Sequence, residues 1–237
     1  MSQKSSFSLV IPCYNEEKAI PSFLTELGVF IVSFGQNFPE TKLNVKIVDN
    51  NSSDSSIELL KRQMLPEAIE VVSCSVQGYG AALKFGFSQS TSDYYGFADL
   101  DNTYPIEDLI PMLELLRLHQ ADMALGCRIH AKSDMDPIRR IGNLFYLGFT
   151  NLLFNSKISD SCSGMRIFRQ SVKNDILELV QNDLSFSIEL TAFALLKKWK
   201  LIEHPIHYRG RLGDSKLSIF FDGFKFLFVL FKVRIFG

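Results

Sequence analysis

The sequence lacks any hydrophobic run long enough to cross a membrane: no stretch of its 237 residues reaches the ~20 apolar residues that a membrane-spanning helix needs. Its four cysteines form no CxxC pair, so the sequence predicts neither a structural zinc site nor a disulfide framework. The formal net charge of −1 lacks the positive excess typical of a general nucleic-acid binder. Residues 1–6 are polar and show no signal peptide. These absences favour a reducing, cytoplasmic setting and no nucleic-acid partner.

What the sequence does contain is an alternation of short apolar runs and segments with helical spacing. Apolar residues make up 46% of the chain, which is enough to bury a core. The predicted strands are residues 7–12, 45–48, 69–74, 93–98 and 122–126. The alternation continues to about residue 127 and predicts an α/β fold with a mostly parallel sheet flanked by helices. In such sheets ligands bind outside the carboxyl ends of the strands.

The most informative polar motif is Asp99–Leu100–Asp101, which directly follows the predicted strand 93–98. Two carboxylates at this place can converge on one divalent cation. Such a cation bridges the phosphates of a nucleotide diphosphate and neutralises the charge of a leaving group. A DxD triplet alone is common, and a solvated turn is the alternative interpretation.

Two further polar clusters follow the first two strands. Asp49 could accept hydrogen bonds from a base or a ribose, while Ser53 or Asp54 is a natural cap of the next helix. Glu16 and Glu17 could equally be carboxylates in the first turn of a helix predicted over 15–34, where the helix dipole favours them. Each cluster is a weak signal by itself.

In order and spacing, these motifs together resemble glycosyltransferase family 2, in the branch that transfers sugars to dolichyl or polyprenyl phosphate. The resemblance covers roughly residues 7–225. The segments that carry it are Ile11–Glu17, Val48–Asn50, Ser53–Asp54, Gly78–Ala82, Ala98–Pro105, Gly126–Arg128, Arg140–Asn143, Ile158–Gly164, Glu203–Ile206 and Gly213–Leu217.

The resemblance implies a GT-A type, Rossmann-like fold, a nucleotide diphosphate sugar donor, and Mg²⁺ or Mn²⁺. It implies that Asp101 binds the metal and that Asp99 contacts the nucleotide, the metal or a metal-bound water. The side chains that it assigns to the nucleoside are Pro12, Tyr14, Glu16 and Asp49. The chain departs from many relatives at Asn50, where they carry a second aspartate, and at Asn102, where glycine or glutamine is common. The run 101–105 resembles the glucosyl branch and favours UDP over GDP.

Basic residues in the second half are candidates for binding phosphate, since guanidinium groups bind phosphate in a bidentate way. Glycines at 210 and 213 would let a loop close over such a group. A solvated surface loop is the alternative. The expected phosphate-positioning residues are Arg128, Arg209, Arg211 and Lys216, with Arg139 and Arg140 preceding an uncharged helical stretch.

Two segments favour contact with a membrane surface. Residues 141–154 carry no charge, and residues 220–236 contain seven phenylalanines. From Arg209 to Gly237 there are six basic and two acidic residues, a balance that attracts anionic lipid. The sequence thus predicts a peripheral protein on the cytoplasmic face of a membrane; packing on the sheet or a homo-oligomer contact is the alternative.

The whole chain, 1–237, is predicted to be one catalytic domain. Its parts are a nucleotide-sugar-binding half (7–127), an acceptor half (128–219) and an amphipathic tail (220–237). The expected reaction is an inverting displacement in which a polyprenyl phosphate attacks the sugar, with catalysis by alignment and charge stabilisation.

Three alternatives stay open at this point. A transferase acting on a saccharide hydroxyl would need Asp160 or Glu189 as a base. A nucleotidyltransferase would show a glycine-rich loop with Arg and Lys where this sequence has residues 13–16. A membrane-surface binding protein without turnover would not need the intact pair Asp99 and Asp101.

Overall fold

The computed structural model describes residues 5–129, 133–210 and 219–237, with the side chains of the last segment described from residue 223. The strands are β1 (Ser5–Cys13), β2 (Thr41–Asp49), β3 (Ile69–Ser73), β4 (Tyr94–Phe97), β5 (Met123–Cys127), β6 (Arg166–Arg169) and β7 (Leu201–Pro205). The α-helices are α1 (Ile20–Asn37), α2 (Ser56–Arg62), α3 (Tyr79–Ser88), α4 (Leu109–Leu118), α5 (Pro137–Phe154), α6 (Lys173–Leu177), α7 (Phe186–Leu196) and α8 (Ile219–Phe236).

The strands form one seven-stranded sheet in the order β3-β2-β1-β4-β6-β5-β7. Strand β6 runs antiparallel to its neighbours β4 and β5, and all other pairs are parallel. The carboxyl ends of β1, β2, β4, β5 and β7 therefore lie at the same edge as the amino end of β6. Since parallel sheets bind ligands at that edge, it is where a site is expected.

Helices cover both faces of the sheet, and α1 does so with an apolar stripe at helical spacing. Helix α1 buries Ile20, Phe23, Leu27, Phe30 and Phe34. These side chains form one core cluster with those of α4, while residues of α3, α6 and α7 form the core on the other face. The predicted α/β architecture is confirmed.

The structure corrects two details near the beginning of the chain. Helix α1 begins at Ile20 and not at residue 15, because Asn15 has a positive φ of 52° that an α-helix does not accept. Glu16 and Glu17 therefore lie in the loop before the helix, where a Glu17 carboxylate oxygen accepts the N–H of Ser55 at 3.0 Å. The helical spacing of Ile57, Leu60 and Met64 predicts that Met64 faces inward, but this residue follows the end of α2 and is fully exposed.

Helices α5 and α8 pack together at one side of the molecule. The inner face of α8, with Phe226, Val229, Leu230 and Val233, packs against α7. Helix α5 buries only Thr150 among its residues and begins at Pro137, capped by the side chain of Asp136. Within the described residues, no helix is both long and apolar enough to cross a membrane.

Candidate active site

A cavity of about 390 Å³ opens at the carboxyl edge of the sheet. One end is polar and is lined by residues that follow β1, β2, β4 and β5. The other, more apolar end is bounded by α5 and α8. It is lined by Met135, Ile138, Tyr146, Leu184 and Phe226, together with the polar side chains of Arg139, Asn143 and Asp183.

The two carboxylates of the DxD motif both line the cavity, as the sequence predicts. Asp101 is 3% exposed, and its Oδ1 accepts hydrogen bonds from the N–H of Thr103 at 3.1 Å and from its hydroxyl at 2.6 Å. Asp99 is half-buried, and its Oδ1 accepts the hydroxyl of Tyr79 at 2.8 Å. These donors fix the orientation of both carboxylates.

The carboxylate pair fits a divalent cation that is shared with a diphosphate. The described residues contain no group of three His, Cys, Asp or Glu side chains that could hold a metal alone. However, Mg²⁺ in phosphate-transfer sites is held by one or two carboxylates, with substrate phosphates and water completing its coordination. Asp99 and Asp101 are therefore the residues that would hold the predicted Mg²⁺ or Mn²⁺.

The residues predicted to hold the nucleoside lie beside this pair. Pro12, Tyr14 and Glu16 line the cavity, with Tyr14 36% exposed. Asp49 ends β2 next to Cys13 in the sheet register, is 6% exposed, and is not among the residues that line the cavity. Its Oδ1 accepts the N–H of Ser52 at 3.3 Å.

Asn50, one of the departures from the family pattern, ties two loops together at the cavity wall. Its amide nitrogen donates to the carbonyl oxygen of Val76 at 2.7 Å, and its amide oxygen accepts the N–H of Gly78 at 2.6 Å. An aspartate at this position could not donate the first bond because an ionised carboxylate has no proton to give.

Arg128 and Asp160 form a buried ion pair at the cavity. Arg128 is 7% exposed and Asp160 is 0% exposed. The guanidinium binds the carboxylate in a bidentate way, with Nε–Oδ2 and Nη2–Oδ1 distances of 2.7 and 2.9 Å. Burial is the largest single influence and opposes the charge of both groups, but the partner's charge, the hydrogen bonds and the neighbouring groups together outweigh it, so the pKa of Asp160 is lowered and that of Arg128 is raised.

This ion pair changes the role expected of Asp160. A general base needs a pKa near the operating pH, whereas the pKa of this carboxyl lies below its ordinary value and both its oxygens accept hydrogen bonds. Glu189, the other proposed base, accepts the backbone N–H groups of Val180 and Gln181 at 3.2 and 2.8 Å. Burial raises its pKa, but its contacts are those of a side chain that supports a loop.

The remaining predicted cations are placed differently. Arg139 lines the cavity. Arg209 pairs with Glu26 of α1, with an Nη1–Oε1 distance of 2.8 Å, and its N–H donates to the carbonyl of Thr103 at 2.9 Å. Arg211 and Lys216 lie outside the described residues.

Two tyrosines in the cavity wall, Tyr79 and Tyr104, were not predicted from the sequence to have a role in the site. Tyr79 contacts Asp99, and the hydroxyl of Tyr104 accepts the N–H of Gly164 at 2.7 Å. Burial, reinforced by negative charge at Asp99, raises the pKa of Tyr79. Burial also raises the pKa of Tyr104, so both phenols are neutral near pH 7. The sequence indicates a role for them only through their place in the segments Gly78–Ala82 and Ala98–Pro105, because a tyrosine near a sheet usually belongs to the hydrophobic core.

The fold and the site together define an α/β protein of GT-A-like architecture with a carboxylate pair at its sheet edge. Residues 8–177 match the family model described as Glycosyl transferase family 2. The chain belongs to this family.

Three curated relatives are similar over most of the chain. A dolichyl-phosphate hexose transferase of Haloferax volcanii is 29% identical over 217 residues, which cover 91% of this chain and 88% of the relative. The low-salt glycan biosynthesis hexosyltransferase Agl6 of the same organism is 28% identical, covering 93% of this chain but only 52% of the relative. The dolichyl-phosphate beta-glucosyltransferase of Saccharomyces cerevisiae is 26% identical, and the match covers 92% of this chain and 71% of the relative.

Solved structures share the fold at low identity. Glucosyl-3-phosphoglycerate synthase of Mycobacterium tuberculosis, in complex with Mg²⁺ and UDP, has a TM-score of 0.72 and 15% identity, covering 97% of this chain and 79% of the other. The same enzyme with Mn²⁺, UDP and glucosyl-3-phosphoglycerate has a TM-score of 0.66, also at 15% identity. This match covers 97% of this chain and 80% of the other.

Proposed function

We propose that this glycosyltransferase moves a hexose, with inversion, from a UDP-sugar to a polyprenyl or dolichyl phosphate at the cytoplasmic face of a membrane. The observation that carries the proposal is the composition of one cavity. The cavity joins a carboxylate pair at the sheet edge to an apolar end between two helices, so it can hold a polar donor beside a lipid acceptor.

The donor end is supported by the carboxylates and by the solved neighbours that bind UDP with Mg²⁺ or Mn²⁺. When bound, the cation supplies positive charge to the diphosphate that leaves. Asp101 and Asp99 hold it, while Pro12, Tyr14 and Glu16 contact the nucleoside from the β1 side of the cavity. Asp49 is proposed to contact the base or ribose, although it is not among the cavity-lining residues.

The displacement needs no strong general base because an acceptor phosphate is already anionic. Its oxygen forms the new bond to the anomeric carbon from the side opposite the nucleotide, while the bond to the diphosphate breaks. Arg128 is held by Asp160 at the cavity wall and positions phosphate. Arg209, Arg211 and Lys216 are proposed to do the same from the segment after β7.

The state of Asp160 disfavours the alternative acceptor, a saccharide hydroxyl. A hydroxyl must lose its proton to a base during attack, and Asp160 is an ion-paired carboxylate with a lowered pKa. The family relationship also disfavours a nucleotidyltransferase, and the intact carboxylate pair disfavours a binding protein without turnover.

The apolar end of the cavity lies between helices whose outer faces also carry exposed apolar side chains. On α5 these include Ile141, Phe145 and Leu152, exposed by 56–79%, and on α8 they include Phe224, Phe228, Ile235 and Phe236, exposed by 66–81%. An apolar surface of this kind on adjacent helices fits the interfacial region of a bilayer. Lys225 forms an ion pair with Asp183, so one of the six basic residues after Tyr208 is paired within the protein.

The donor assignment is tested by thermal unfolding with UDP and GDP, each with and without Mn²⁺. We expect UDP with Mn²⁺ to raise the Tm, because a ligand that binds only the folded state stabilises it. The increase should require the metal and disappear in Asp101→Asn. A larger metal-dependent shift with GDP would correct the choice of nucleotide, and no shift with either would reject the donor site.

The membrane assignment is tested by flotation with liposomes that contain anionic lipid. Burying a phenylalanine side chain contributes about 1.5–3 kcal/mol, so Phe228→Asp should reduce the bound fraction roughly tenfold or more. The matched control is Val32→Asp on α1, where the exposed side chain lies on the opposite side of the sheet. Equal binding of both variants and the wild type would contradict a membrane role for α8.

A further inference from the structure

Tyr79 occupies a turn that is fixed on both sides. Gly78 has a φ of +134°, and a Cβ at this position would lie 2.1 Å from the carbonyl oxygen of Asn182. A Cβ at Gly80 would lie 2.7 Å from the carbonyl oxygen of Gln181. Neither residue can carry a side chain without a shift of the neighbouring backbone, so the two glycines let the turn pack directly against that loop.

Hydrogen bonds complete the support of this turn. The N–H of Ala81 donates to the carbonyl of Asn182 at 3.0 Å, and the N–H of Gly78 donates to the side chain of Asn50 at 2.6 Å. Tyr79 is the first residue of α3, so its position is fixed by both the helix and the turn. Its hydroxyl reaches Asp99 across the cavity wall.

The second oxygen of Asp99 is confined by a different element. A Cβ at Gly164 would lie 2.5 Å from Oδ2 of Asp99, so the glycine leaves just enough room for this carboxylate. The backbone of Gly164 is itself fixed by its N–H, which donates to the hydroxyl of Tyr104 at 2.7 Å. One oxygen of Asp99 is thus oriented from α3 and the other is restricted by the loop before β6.

We propose that Tyr79 is a positioning residue: its hydroxyl, opposite Gly164, holds the Asp99 carboxylate in the one orientation that receives the cation and diphosphate of the donor. The inference rests on the proposed donor site. Groups that hydrogen-bond a ligating carboxylate determine its orientation, and losing one typically lowers metal affinity 10–100-fold. The glycines around Tyr79 are needed because a phenol on a less constrained turn would not fix this orientation.

The test is calorimetric titration of UDP into wild type and Tyr79→Phe, each with and without Mn²⁺. The variant removes only the hydroxyl, so the affinity for metal-free UDP should stay within about twofold of wild type, while the Mn²⁺ affinity of the UDP complex should fall about 10–100-fold. A defect confined to folding would lower both affinities or neither. The matched control is Tyr95→Phe, which also removes only a hydroxyl. This buried hydroxyl donates to the carbonyl of Ser90 at 3.1 Å, and Tyr95 does not line the cavity, so the control should keep the Mn²⁺ affinity.

Gly164→Ala tests the same proposal from the other oxygen. Its added methyl group should displace Oδ2 of Asp99 and weaken Mn²⁺ binding in the same direction. Unchanged or tighter Mn²⁺ binding in Tyr79→Phe would overturn the positioning role while leaving the donor site intact. If wild type itself shows no Mn²⁺-dependent binding of UDP, it is the proposed function that fails.

Discussion

Replacing Asp101 by asparagine is expected to lower the rate of sugar transfer about 10²–10³-fold, a typical effect of removing one group that stabilises a developing charge. The loss should appear in kcat as well as in kcat/KM, because the carboxylate acts on the leaving diphosphate. The fold should survive, since an amide oxygen can still accept both hydrogen bonds from Thr103. We expect the free energy of unfolding to change by less than about 1 kcal/mol.

The measurement is transfer of labelled hexose from UDP-sugar to a short polyprenyl phosphate in detergent, with saturating Mn²⁺. Asp108→Asn is the matched control because Asp108 follows the same loop but approaches His204 at 3.8 Å outside the cavity lining. Transfer by Asp101→Asn at the rate of the control would exclude Asp101 from the mechanism.

Breaking the Arg128–Asp160 pair is expected to give the largest loss of stability. Removing one partner leaves an uncompensated buried charge, which typically costs about 3–5 kcal/mol. Asp160→Asn should therefore lower the free energy of unfolding strongly in urea denaturation. The control is Glu58→Gln, since Glu58 and Arg62 form an exposed pair on α2 whose loss should cost no more than about 0.5 kcal/mol.

The double variant Arg128→Met, Asp160→Leu separates stability from function. Removing both charges should recover much of the lost stability, because well-packed apolar replacements of a buried pair are often neutral. Transfer activity should stay low, since the group proposed to position phosphate is gone. Recovery of activity together with stability would show that Arg128 has only a structural role.

The Arg128–Asp160 pair also predicts how the free energy of unfolding changes with pH. Asp160 has a folded-state pKa below its ordinary value of 3.8, so its contribution to stability is complete above that value. The contribution is lost as the pH falls below 3.8 toward the lowered folded-state pKa. In the double variant the acid side of the stability curve should be flatter than in wild type. An unchanged acid limb would mean that other carboxyl groups control acid unfolding.

The pattern of apolar and polar residues was enough to predict the fold class and the edge of the sheet at which the cavity opens. Apolar runs with strand and helix periodicity specify the parallel sheet, and polar residues at the ends of β1, β2 and β4 mark its binding edge. Asp99 and Asp101 were found in this way because residues adjacent to a strand end have a predictable position. The helical character of residues 141–154 was also predictable, although α5 begins earlier, at Pro137.

Contacts between side chains that are distant in the sequence could not be predicted in this way, because they depend on how the chain packs. Arg128 and Asp160 are 32 positions apart and read as a phosphate ligand and a base, but they form one ion pair, which changes the chemistry of both. The start of α1 depended on the positive φ of Asn15, whose side chain accepts the N–H of Ser53 from a loop that sequence periodicity does not place. Periodicity reports which side of an element is buried, whereas a pKa, a hydrogen-bond partner or the room beside a glycine depends on the chain that packs against it.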